Sequence, residues 1–125
     1  MNDKRINRIS EEVRRVISEL LYNGLKDPRI KPMTSVTKVE VTKDLRFAKV
    51  YISVLGSMEE KEESIEGLEN AKGFIRKEIG SRIDLRYVPE PIFLLDESIE
   101  QAIYMSKLID EVNKGNYEQN GEKNE

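Results

Sequence analysis

A chain of 125 residues is sized for one domain around one hydrophobic core. Its 38% apolar and 36% charged content describes a soluble globular protein with a heavily charged surface. Cysteine and histidine are both absent, which removes disulfides, thiol nucleophiles, Ser-His triads and Cys/His zinc sites and makes the cytoplasm the default compartment. No apolar run approaches the roughly 20 residues that cross a bilayer, and "MNDKRINRIS" lacks the apolar core of a secretory signal.

The first segment sets Ile6, Ile9, Val13, Val16, Ile17, Leu20 and Leu21 on one stripe at helical spacing, with Lys4, Arg8 and Arg15 on the opposite face. Gly24 and the Asp27-Pro28 pair end that helix, and "KDPRIKP" connects onward. Residues 34–42 are β-branched, with Val39 and Val41 on one face. After the turn "KDLR", residues 46–55 alternate cleanly, with Ala48, Val50, Ile52 and Val54 on one side. Strands joined this closely form an antiparallel hairpin with one covered face.

From 58 to 83 the period returns to helix through Ile65, Leu68, Ile75, Ile79 and Ile83, interrupted at Ala71-Lys72-Gly73. "RYVPEP" breaks it and leads to a third strand, 92–96. A last helix follows, where Ser98 and Gln101 stand in the relation of a capping box. The order α-β-β-α-α-β-α makes a single α+β domain over 1–112, and the polar segment 113–125 is expected to be a disordered tail.

Charge is segregated along the chain although the formal net charge is −3. Residues 1–31 carry +3, 32–56 carry +2 and 70–88 carry +3, against −5 for 57–69 and −6 for 89–125. An anionic total therefore does not exclude a local cationic face for a polyanion.

The order α-β-β-α-α-β with a broken helix pair is that of type II KH domains, which bind RNA. The chain has Ala71-Lys72-Gly73 where such domains carry GxxG, and it resembles the ribosome-binding factor A family, whose KH-like domain has an AxG kink there. "LKDPRI" (25–30), "DLRFAKVYISVLG" (44–56), "AKGFIRKEIGSRIDLRYVPEPIF" (71–93) and "LDESIE" (95–100) carry the resemblance. It implies a non-enzymatic assembly factor that binds the immature 30S subunit. It further implies contacts to 16S rRNA, including its 5′ helix region, and a role in late maturation of that RNA, needed most in the cold. A monomer is expected, with no cofactor, metal, membrane or small-molecule substrate.

The candidate RNA contacts follow the cations. Lys4, Arg5, Arg8 and Arg15 form a basic side on the first helix, where the alternative is a solvated face with pairs such as Glu11–Arg15 and Arg8–Glu12. Arg29 is either an RNA contact or a turn residue paired with Asp27. Lys43 and Arg46 bracket the hairpin turn, where charges also guard strand edges.

Ala71, Lys72 and Gly73, with Arg76 and Lys77, would aim a helix N-terminus and full charges at phosphate; the plainer reading is a packing kink with solvated lysines. Arg82 and Arg86 follow as phosphate ligands. Phe47 and Tyr51 face outward, to be covered by the final helix or to stack on bases. The acidic run 59–69 reads as a solvated face or a surface for a basic ribosomal protein, and a protein-interaction module without RNA contact is the alternative function. Asp96 and Glu97 read as capping groups with no catalytic role.

Overall fold

The computed structural model describes residues 3–124, with side chains described through residue 115. The elements run α1 (Asp3–Tyr22), β1 (Thr34–Val41), β2 (Phe47–Val54), α2 (Met58–Asn70), α3 (Lys72–Arg82), β3 (Glu90–Leu95) and α4 (Ser98–Asn124). This is the order that the periodicity predicts, in an α+β architecture of four helices and one three-stranded sheet.

The sheet order is β1-β2-β3. β1 and β2 form the antiparallel hairpin, with Val39 opposite Val50 and Val41 opposite Ala48. β3 joins β2 in parallel, with Val50 beside Phe93, because the α2–α3 pair carries the chain back to the starting edge of the strand. The hairpin turn is closed by side chains. Asp44 accepts from the Thr42 hydroxyl (2.7 Å) and the Arg46 amide (3.1 Å), and the Thr42 oxygen accepts from the Phe47 amide (3.1 Å). Leu45 holds φ +60° there with its side chain buried in the core.

One sheet face is covered by helices. Ile9, Val13 and Ile17 of α1, Leu68 of α2, and Ile75 and Ile79 of α3 bury against Val39, Val50, Ile52 and Phe93. Each such fully buried side chain is worth roughly 1.5–3 kcal/mol relative to exposure. Ser10 ties the layers together by accepting from the Val41 amide at 3.0 Å. α1 closes as expected, with Gly24 at φ +93°, a left-handed position that favours glycine.

Two expectations are corrected. The start of α4 is served by Asp96, whose Oδ1 accepts from the Ser98 amide at 2.9 Å while Oδ2 accepts from Thr37; a Ser98–Gln101 box does not form there. The capping box that does form is Ser57–Glu60, at the start of α2. Phe47 stays 37% exposed, because α4 stands off the domain with Ile99, Ile103, Tyr104, Met105, Ile109 and Val112 all exposed.

α4 is tied back through Lys61, buried on α2, whose ammonium lies 2.6 Å from Glu100 and 3.8 Å from Glu97. Its helical backbone runs to Asn124, through the segment whose composition suggests a disordered tail. The side chains from 116 onward lie outside the described residues.

Candidate nucleic-acid interface

The connector between α1 and β1 is bound to α2, and this decides which cations stay available. Asp27 accepts from the Arg29 amide (2.9 Å) and from its guanidinium (2.7 and 3.0 Å), so the Arg29 hydrogen bonds hold the Asp27 carboxyl down at about 2. Arg29 also reaches Glu66 at 3.2 Å, and Lys31 reaches Glu63 at 2.8 Å. Buried Ser64 accepts from the Lys31 amide and donates to the Arg29 carbonyl. Gly67 admits the connector: a Cβ there would lie 2.8 Å from Ile30 and 3.3 Å from Arg29. The acidic helix is therefore not simply a solvated face, since Glu63 and Glu66 grip the connector and Glu69 pairs with Lys72 at 3.2 Å.

At the α2–α3 corner the break is one residue, Ala71 (φ −88°, ψ 1°), whose amide closes α2 while its carbonyl starts α3. α3 begins with no side-chain cap and no acidic residue in its first turn. Gly73 lies inside α3 with ordinary helical handedness, and a Cβ there would meet nothing within 4 Å. The glycine is thus not what bends the chain; Ala71 is where the helix stops. Lys72 is held by Glu69 and, at 3.9 Å, by Glu90. Lys77 is exposed, as is Phe74 one residue beyond the glycine.

A groove between α1 and the end of α3 gathers Arg5, Arg8, Arg15 and Arg82 around a space of about 530 Å³, with Glu12, Glu19 and Asp84 also on its walls. Arg82 is engaged there, 2.8 Å from Glu19 and 3.2 Å from Glu78. Arg5, Arg8 and Arg15 are exposed and make no ion pair or hydrogen bond among the described residues. Of the alternative pairs, Arg8–Glu12 does not form, and Glu11 gives its hydrogen bonds to Arg14, leaving Arg15 only a through-space attraction to that carboxylate. Lys4 lies one residue before this row and is exposed.

The segment after α3 leads from this groove to a second concavity, lined by Arg46, Arg76 and Tyr87 beside Asp44. Arg76 donates to the Val88 carbonyl at 3.1 and 3.3 Å, and the Arg86 guanidinium lies 5.8 Å from the centre of the Tyr87 ring. Arg46 lies 3.9 Å from Asp44, and Lys43 is exposed on the same turn.

The candidates thus divide. Arg5, Arg8 and Arg15 line the groove beside α1 and Arg46 and Arg76 the second concavity, with Arg86 against Tyr87, whereas Arg29, Lys72 and Arg82 are committed to carboxylates of the fold. Tyr87 and Phe74, 63% and 51% exposed, are two further aromatic groups, and they stand beside these cations. The neighbouring cations in "LRYV" and "KGFIRK" were the available signal, since basic and aromatic groups together suit stacking on bases. Among the described residues there is no cluster of carboxylates that could hold a metal ion, and no helix is long and apolar enough to cross a membrane.

Residues 5–109 match the family model described as Ribosome-binding factor A. The chain belongs to the ribosome-binding factor A family. Among curated members, it is 58% identical to ribosome-binding factor A of Acetivibrio thermocellus, covering 90% of this chain and 92% of that protein. With the Clostridioides difficile member it shares 54% identity over 96% of this chain and 94% of the relative. The solution structure of a Thermotoga maritima ribosome-binding factor A superposes with a TM-score of 0.66 at 38% identity, covering 75% of this chain and 90% of that one. The Thermus thermophilus ribosome-binding factor A crystal structure shares the fold, with a TM-score of 0.63 at 22% identity over 72% and 94% of the two chains.

Proposed function

We propose that this protein is a non-enzymatic ribosome assembly factor that binds the immature 30S subunit and its 16S rRNA, including the 5′ helix region, and promotes late maturation of that RNA. Family membership supports the ribosomal partner, and a Thermus thermophilus ribosome-binding factor A has been fitted into a map of a 30S complex. In this reading the domain over residues 1–112 is a type II KH-like unit whose Ala71-Lys72-Gly73 corner stands where other KH domains carry GxxG. It acts as a cytoplasmic monomer, with no cofactor.

The observation that carries the proposal is the row Arg5, Arg8 and Arg15, exposed along one groove and unpaired among the described residues. A cation that the fold does not use is available to phosphate. The factor acts by differential binding: it favours one arrangement of the immature RNA and so shifts that population, and it leaves when the mature arrangement forms.

A salt titration tests this. With about three phosphate contacts, affinity for precursor small subunits is expected to fall roughly ten- to hundred-fold between about 50 and 200 mM salt. The pair Arg8→Ala and Arg15→Ala reduces the slope by roughly two. An affinity that is flat with salt in the unaltered protein overturns the proposal. The rival reading, a protein module acting only through the acidic helix, is weakened by the fold: Glu60 caps its own helix and Glu63 holds Lys31.

A further inference from the structure

β3 is an edge strand, and among the described residues no strand pairs with its outer side. The Glu90 amide donates to the Arg46 carbonyl and the Asp96 amide to the Ile52 carbonyl, so the even-numbered residues of the strand face β2. The amides and carbonyls of Phe93 and Leu95 therefore turn to the unpaired edge. Edge strands normally defend themselves with charges, bulges or proline. This one reads "EPIFLL", with its charge and its proline both at the start, so nothing guards the stretch from Ile92 to Leu95.

Beside that edge runs a groove of about 380 Å³ between β3 and α2, lined by Ile65, Phe93, Leu94 and Leu95 with the carboxylates of Glu62 and Glu66 at its rim. Glu62 makes no ion pair or hydrogen bond among the described residues. The rim belongs to the −5 segment 57–69, and the strand opens the −6 segment 89–125, the two most acidic parts of the chain.

We propose that this groove binds an extended basic peptide, a lysine- or arginine-rich segment of a partner protein, as a fourth strand on the open edge of β3. Main-chain hydrogen bonds to Phe93 and Leu95 hold the peptide. Peptide side chains on the α2 side lie over the apolar floor, where lysine stems pack and their ammonium groups reach Glu62, Glu66 being shared with Arg29; the alternate side chains face the open side of the sheet. Pro91 has no amide hydrogen, so pairing is confined to the C-terminal part of β3. A nucleic-acid strand in the same groove would set its phosphates against the carboxylate rim. A second copy of the chain pairing edge to edge would bring two acidic rims together.

The test uses the full chain, labelled for amide resonances, and three probes: a synthetic peptide of alternating lysine and valine, its glutamate counterpart, and an oligouridylate. The lysine peptide is expected to shift the Phe93 and Leu95 amides and protect them from exchange. It should bind about tenfold or more tightly than the glutamate peptide, with the difference fading in salt. Methylating alternate peptide nitrogens, which alters the probe and not the protein, is expected to lower affinity about tenfold by removing strand hydrogen bonds.

Glu62→Lys, at an exposed position, lowers affinity for the lysine peptide several-fold while leaving the salt-dependent binding of small subunits through Arg5, Arg8 and Arg15 unchanged. That separation distinguishes failure here from failure of the ribosomal reading. Equal binding of the two peptides, indifference to N-methylation, or stronger shifts of Phe93 and Leu95 by the oligouridylate each overturn the proposal.

Discussion

Two neighbouring parts of the molecule use the same residue types to opposite ends. Where the connector crosses α2, Gly67, Asp27, Arg29 and Ser64 are locked together: the glycine makes room for Ile30, and each charge has a partner. A few residues on, at the α2–α3 corner, Gly73 faces open space and Lys77 stands exposed. A glycine or a cation in a helix thus has no fixed meaning. Its meaning depends on whether another segment of the chain arrives against it.

Substitutions sharpen this contrast. The largest effect is expected at the locked seam: Gly67→Ala places a methyl group 2.8 Å from Ile30 and should cost about 1–3 kcal/mol in urea unfolding. Unchanged stability would mean that the connector is not seated as described. Ser64→Ala leaves the Lys31 amide and the Arg29 carbonyl without their buried partner, a loss of about 1–2 kcal/mol by the same measurement.

The Asp27–Arg29 pair gives the seam a pH signature. Because the pair holds the folded carboxyl down at about 2 against its ordinary 3.8, its contribution is complete above about pH 5 and is lost as pH falls through 2. Asp27→Asn should flatten that limb of the stability profile, and an unaltered limb would assign the acid sensitivity elsewhere. At the open corner the sign reverses. Gly73→Ala is expected to stabilise the protein by up to about 1 kcal/mol, since the helix there accepts a side chain without contact. A loss of stability would show that the corner is as constrained as the seam. If small-subunit affinity falls while stability rises, Gly73 serves the partner's approach rather than the fold.

The same contrast explains what the sequence disclosed. The stripe from Ile6 to Leu20, the alternation from Ala48 to Val54 and the break near residue 71 are local patterns, and local patterns place elements. Ion pairing is only partly local. The local pairing of Arg29 with Asp27 was legible, but its hold on Glu66, and those of Lys72 on Glu90 and Arg82 on Glu19, join residues far apart in the chain. Spacing offered a Glu11–Arg15 pair as the alternative to an RNA contact, whereas Arg14 takes the hydrogen bonds of that carboxylate. Lys61 sits in an acidic run and yet is buried, because α4 begins directly above it. The open edge of β3 had no sequence signal, since a strand's neighbours follow from topology.

The parallel union of β2 and β3 also sets an order of events. The hairpin closes over a short turn, but β3 finds its place only after both intervening helices have been made and folded back. During synthesis the arginine face of α1 exists before the third strand has left the exit tunnel. The open edge of β3 comes into being later, so both surfaces stand together only once β3 has joined β2.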